Sequence, residues 1–167
     1  MMTYKVYGRN EIKPQSDGLF SLYWRYKKEL WGMTGSKGFS RKSVYGWYKD
    51  ILSYDLFLAN VFVGGNQAGF VFIACGDNCP MPFDYYVMDC YILPEHRHHG
   101  IMYSVLTDFV GSHPGGYCLF IIDSNAPAKR FWEKVFGRFF YKEQELVNLL
   151  SEIKRMEDAN THFHAWR

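Results

Sequence analysis

The chain has 167 residues, enough for one core that removes well over half of the unfolded surface from water, and 48% of them are hydrophobic and 19% aromatic. That balance excludes a disordered chain, and a formal net charge of +2 excludes the broad basic field that drives nucleic-acid or membrane-surface binding. The four cysteines, Cys75, Cys79, Cys90 and Cys118, lack paired C-x-x-C spacing, which argues against a zinc ribbon and for reduced thiols.

The first ten residues, MMTYKVYGRN, hold no apolar signal core, and no apolar run approaches the roughly 18 residues of a membrane span, so a cytoplasmic location is expected. Residues 3–7 alternate as a short strand. Asp17 offers a cap for the segment LFSLYWRYKKELW, where Leu19, Leu22, Tyr23, Tyr26 and Leu30 recur at helical spacing as a core face. Arg25, Lys27, Lys28 and Glu29 read as the solvated face of that helix. Gly32, Gly35 and Gly38 mark a loop, after which Ser40 caps a second helix running to about Leu52. Residues 56–63 and 68–74 are strongly β-prone, and Gly64-Gly65-Asn66 between them signals a hairpin. The loop at 75–83, with Pro80 and Pro82, separates this pair from a third strand.

The stretch VMDCYILPEHRHHGIMYSVLTDF, residues 87–109, changes from period two to helical spacing in its middle. At the change lie Arg97, His98, His99, Gly100, Ile101 and Met102, ahead of a helix with Ile101, Val105, Leu106 and Phe109 on its apolar face. Free backbone N–H groups at a helix start, with the helix dipole behind them, attract a phosphate or pyrophosphate, and Gly100 allows a ligand to come close. His96, His98 and His99 are too nearly adjacent to converge on one ion unaided, so no metal is expected. Residues 117–122 then read as a buried strand, parallel to the one before the helix through a right-handed crossover. Residues 126–136 form a helix with Pro127 in its first turn, and Gly137 stops it. A short strand at 138–142, an additional helix at 143–158 and a terminal strand at 161–166 complete a single domain, 1–167. No phosphate-binding G-x-x-x-x-G-K-[ST] and no G-x-S-x-G elbow occur.

The hexapeptide 97–102 resembles the Arg/Gln-x-x-Gly-x-Gly/Ala pyrophosphate motif of the GNAT superfamily, the acetyl-coenzyme A-dependent N-acetyltransferases, with Met102 departing at the last position. Asp89-Cys90-Tyr91-Ile92-Leu93-Pro94-Glu95 resembles the strand leading into that motif, and residues 125–134, NAPAKRFWEK, resemble its Asn-x-x-Ala-x-x-Phe-Tyr-x-Lys helix. The resemblance implies an α/β (α+β) fold: a mixed, mostly antiparallel twisted sheet with a splayed central parallel pair, flanked by helices. It also implies acetyl-CoA as co-substrate and no metal. Pyrophosphate would sit on the backbone of Arg97, His98, His99, Gly100, Ile101 and Met102, pantetheine along Tyr91, Ile92 and Leu93, and the cofactor would further meet Asn125 and Phe131.

Direct attack by a primary amine of a small molecule or peptide is then implied. Asp89, at a position resembling an acidic site in polyamine acetyltransferases, is the expected catalytic proton acceptor. Trp31, Phe39 and Asp84 are the expected acceptor contacts, Asp84 being also the second candidate for the proton. The family's tyrosine acid is replaced by Trp132, whose indole N–H donates a hydrogen bond but no useful proton. No nucleic-acid or membrane partner is expected, and a homodimer is left open. The alternative is a non-catalytic acyl-CoA-binding or protein-interaction module on the same fold.

Overall fold

The computed structural model describes residues 1–35, 38–79, 81, 83–122, 124–136 and 161–166, with the backbone alone at 9, 13–17, 136 and 161–166. Six strands, β1 (Met2–Tyr7), β2 (Leu56–Val63), β3 (Asn66–Cys75), β4 (Tyr85–Ile92), β5 (Tyr117–Ile122) and β6 (Thr161–Trp166), lie side by side in chain order. Every neighbouring pair is antiparallel except β4 and β5, which are parallel. Four helices accompany the sheet: α1 (Arg9–Thr34), α2 (Arg41–Ile51), α3 (Ile101–Ser112) and α4 (Ala126–Phe136). This is the mixed architecture that the sequence motifs implied. The strand expected at 138–142 and the helix expected at 143–158 lie outside the described residues.

Period-two alternation sorts the sheet into two faces. Phe70 and Phe72 of β3 pack with Leu19 and Tyr23 of α1 and with Val44 and Tyr48 of α2, while Val71 and Ile73 pack with Val105, Leu106 and Phe109 of α3 and Trp132 of α4. Helices α1 and α2 therefore cover one face, and α3 and α4 the other. The β2–β3 hairpin turns through Gly64 and Gly65, both at positive φ (58° and 83°), as a two-residue turn of this hand requires.

Helix α1 corrects one expectation. It starts at Arg9, well before Asp17, whose backbone is already inside the helix. Gly8 is the cap: its carbonyl accepts the Glu11 N–H at 2.9 Å, and Glu11 reaches back to the Gly8 N–H at 3.4 Å. Burial of Ile12 on the face that carries Leu19 anchors the additional turns. A second correction concerns the α1 charges read as solvated. Lys27 pairs with Asp89 largely out of solvent, Glu29 pairs with Arg97 half-buried, and Arg25 pairs with Glu95 at the surface.

Two irregularities in β4 position the site. Its register against β3 slips at Met88, so that Val87 faces Ile73 and Asp89 faces Phe72, which is a β-bulge. Its parallel pairing with β5 ends early, covering only Tyr85–Val87 against Tyr117–Leu119. From Met88 onward the two strands part.

Candidate active site

The parting of β4 and β5 opens into a cleft of about 590 Å³ that both faces of the sheet share. Tyr26, Glu29, Leu30 and Met33 of α1 line one side. Cys90, Tyr91 and Ile92 of β4 form its floor, and the start of α3 with one face of α4 closes the other side.

At the α3 end the chain turns through a 3-10 turn at Pro94–His96 and then two residues with positive φ, His98 (67°) and Gly100 (74°). No side chain caps α3, and the first intrahelical bond runs from the Ser104 N–H to the Gly100 carbonyl at 3.0 Å. By helix geometry the N–H groups of Ile101, Met102 and Tyr103 are then left for an outside acceptor, at the positive end of the helix dipole. Arg130 and Lys134 of α4 line the same cleft and add cations to its wall.

The loop is braced against α1. The Arg97 guanidinium donates to the Ile92 carbonyl at 3.1 Å, meets a Glu29 carboxylate oxygen at 2.6 Å and lies over the Tyr91 ring. The Tyr91 hydroxyl donates to the other Glu29 oxygen at 3.0 Å. Burial, together with that carboxylate, pushes the Tyr91 hydroxyl up to about 12. Burial likewise pushes the Cys90 thiol up to about 12, with the Asp89 charge adding to the effect.

Asp89 follows the bulge and turns toward α1, where it is 8% exposed. Lys27 Nζ holds both carboxylate oxygens, at 3.0 and 3.1 Å, and the Tyr26 hydroxyl donates to Oδ1 at 2.7 Å. Burial first, and then the Asp89 charge and hydrogen bond, raise the Tyr26 hydroxyl well above its usual value. Asp89 is absent from the cleft lining, but Tyr26 is part of it.

Of the residues expected at a cofactor, the cleft brings together Tyr91, Ile92, Arg97, His98, Gly100, Ile101, Met102, Asn125 and Phe131. Leu93 and His99 are not in the lining; Leu93 packs with the α1/α2 core, and its N–H donates to the Ala68 carbonyl at 2.8 Å. Trp31 and Phe39 lie outside the cleft in a row of rings, Trp24–Trp31–Phe39–Trp47, with centroids 5.6, 5.5 and 4.8 Å apart. Asp84 sits at the opposite end of β4, where it accepts the Gly116 N–H at 2.6 Å and borders a separate cavity with Gly76 and Cys79. Trp132 is buried, 6% exposed, and its ring still reaches the cleft wall. Sequence reasoning missed Tyr26, Glu29 and Met33, because nothing local distinguishes a helix face that meets a cleft from one that meets a core or solvent.

A sequence model of the acetyltransferase (GNAT) family matches residues 16–137. No curated protein sequence matches the chain. Among solved structures, an acetyltransferase from Thermus thermophilus superposes with a TM-score of 0.67 at 13% identity, over 98% of this chain and 96% of that one. PaiA N-acetyltransferase from Thermoplasma acidophilum, solved in complex with coenzyme A, gives 0.62 at 12% identity, over 100% and 99% of the two chains. A predicted acetyltransferase from Clostridium acetobutylicum, solved with acetyl-CoA, gives 0.53 at 18% identity, over 86% and 93%. These likenesses concern the fold, whereas the family model covers most of the chain, including β4, the turn into α3 and α4. A chain with that sequence match, this splayed sheet and an uncapped helix facing the split belongs to the acetyltransferase (GNAT) family.

Proposed function

We propose that the protein transfers an acetyl group from acetyl-CoA to a primary amine of a small molecule or peptide, by direct attack within a ternary complex. The observation that carries this reading is the continuity of the cleft, from the uncapped start of α3 to the gap where β4 leaves β5. A long cofactor with an anionic pyrophosphate fits that shape. Its pyrophosphate would take the free N–H groups at the start of α3, among them those of Ile101 and Met102, with Gly100 and His98 beside it and Arg97, Arg130 and Lys134 contributing positive charge. Pantetheine would lie along Tyr91 and Ile92, where β4 has no partner on its β5 side, with Asn125 and Phe131 on the opposite wall. The relatives solved with coenzyme A and acetyl-CoA share this fold and support the choice of cofactor.

Direct attack is favoured over an acyl-cysteine intermediate. Cys90 lines the cleft, but a thiol pushed up to about 12 is almost wholly protonated near neutrality, and the thiolate is the nucleophile. The acceptor must shed a proton, since lysine-like amines have a reference pKa of about 10.4 and a protonated amine has no lone pair. Asp89, the carboxylate at the bulge, is the group we assign to receive the further proton that the nitrogen of the neutral amine sheds as it attacks.

Thiol release from acetyl-CoA across a panel of amines tests the reading, and a rise above background with at least one primary amine is expected. Acetyl-CoA should also raise the melting temperature, corresponding to about 2.7 kcal/mol at a concentration of about 100 times Kd. A second reading has its own observation: Trp132, buried where the family carries a tyrosine, removes a proton donor. A melting shift without thiol release from any amine would favour a non-catalytic acyl-CoA-binding module.

A further inference from the structure

Asp89 and the cleft are adjacent, but they do not touch. The carboxylate is 8% exposed and boxed in by α1: Lys27 Nζ holds both oxygens, Tyr26 donates to Oδ1, and Tyr23, 1% exposed, packs against Tyr26 and Lys27 from within the core. Of these partners only Tyr26 also lines the cleft. Its ring is held against Tyr91 and Phe70, with centroids 5.3 and 5.8 Å away, while its hydroxyl is held on the carboxylate. Tyr26 thus joins the cleft wall to Asp89 through a single side chain.

We infer that Tyr26 is a catalytic residue, a two-way proton relay between the reacting groups and Asp89. The inference rests on the acetyl-transfer reading above and deepens it. In the forward direction the amine nitrogen attacks the thioester carbonyl carbon and a C–N bond forms. The proton shed by that nitrogen passes to Tyr26 Oη while the proton of Tyr26 passes to Asp89 Oδ1. Collapse of the tetrahedral intermediate breaks the C–S bond, and the electron pair stays on sulfur. The proton then returns from Asp89 through Tyr26 to the thiolate, so one proton has moved from amine to thiol and both residues are restored.

This return path supplies the acid that Trp132 cannot. It also suits a tyrosine whose burial keeps it neutral, because a relay needs an O–H group that accepts at one side and donates at the other. Lys27 has a distinct part: it is a positioning residue that holds both Asp89 oxygens and keeps Oδ1 turned toward Tyr26.

The test compares Tyr26→Phe and Tyr23→Phe with the parent in the full chain, reading thiol release, its pH profile and the melting shift given by acetyl-CoA. For Tyr26→Phe, kcat should fall by about 10²–10⁴-fold while the melting shift persists. The residual rate should climb more steeply with pH than the parent rate, since the proton shed by the attacking nitrogen must then go to solvent or hydroxide. Tyr23→Phe removes a hydroxyl from the same buried cluster, at a residue outside the cleft lining, and it should retain the parental pH profile. Near-parental kcat in Tyr26→Phe overturns the relay and leaves acetyl transfer standing. Equal losses and equal pH profiles in the two variants also overturn it, since the effect would then be support of Asp89 alone. Absence of thiol release by the parent with every amine overturns both the relay and the acetyl-transfer reading.

Discussion

At Asp89 the same two oxygens carry a buried ion pair and the proposed chemistry, so a single substitution mixes two effects. Asp89→Asn should lower turnover by about 10²–10⁴-fold, and it should also cost about 3–5 kcal/mol of stability because Lys27 is left buried without its partner. Combining it with Lys27→Met separates the two. Urea midpoints should recover much of the loss in the double variant while turnover stays low, and recovery of turnover would show that the carboxylate is only structural. Gly100 poses a similar problem of separation. It caps α3 at φ 74°, where an L side chain costs about 1–2 kcal/mol, and a Cβ there would meet nothing within 4 Å. Gly100→Ala should lower stability by that amount and also shrink the melting shift given by acetyl-CoA, because the added methyl stands in the ligand's approach. Gly35, at φ 65° beyond the end of α1 and outside the cleft lining, provides the comparison. Gly35→Ala should carry the same backbone cost and keep the full shift; equal shrinkage in both would remove the anion site from α3.

Among the elements, β3 leaves no room for a side chain against β4 at Gly69, where an added Cβ would lie 2.6 Å from the Tyr91 carbonyl oxygen and 3.2 Å from the Ile92 Cα. Backbone cannot yield there as a flexible side chain would. Gly69→Ala should cost about 1–3 kcal/mol and, by shifting the floor of the cleft, weaken acetyl-CoA binding; an unchanged melting profile with and without cofactor would count against this account of the floor. Gly69 drew no notice in the sequence, because its constraint comes from a strand more than twenty residues further on. Elements bounded by local punctuation were legible: β2 between Leu56 and the Gly64-Gly65 turn, β5 between Gly116 and Asn125, and α4 up to Gly137. The start of α1 was not, because Pro14 and Gly18 look like breaks and Asp17 like a cap, whereas burial of Ile12 carries the helix through them. The motif residues of the cofactor half of the cleft could be read for the same local reason. Pairings such as Lys27 with Asp89 and Glu29 with Arg97 join residues more than sixty positions apart, and a single sequence holds no sign of them.

For the whole molecule, one pH response follows from how many hydroxyl and thiol groups the sheet encloses. Burial raises Tyr23, Tyr26, Tyr86, Tyr117 and Cys118, and it pushes Cys90 and Tyr91 up to about 12. Each loses its proton more easily in the unfolded chain, where thiols titrate near about 8.5 and tyrosines near about 10. The fold therefore binds more protons than the unfolded chain above those values, so stability is whole below about pH 8.5 and falls as pH rises toward about 12. Urea midpoints measured from pH 7 to 11 should decline progressively over the upper half of that range, and a flat profile would contradict the burial of these groups. The short β4–β5 ladder has a different consequence. Among the described residues three residue pairs join the four-stranded part of the sheet to β5 and β6 across this line, so the β5 side of the backbone along residues 88–92 is a seam without rungs. A cofactor lying in that seam would stand in for the missing rungs, and the exchange with heavy water of those amide protons along it that point away from β3, fast in the free protein, would slow on binding to the pace of the strands beside them.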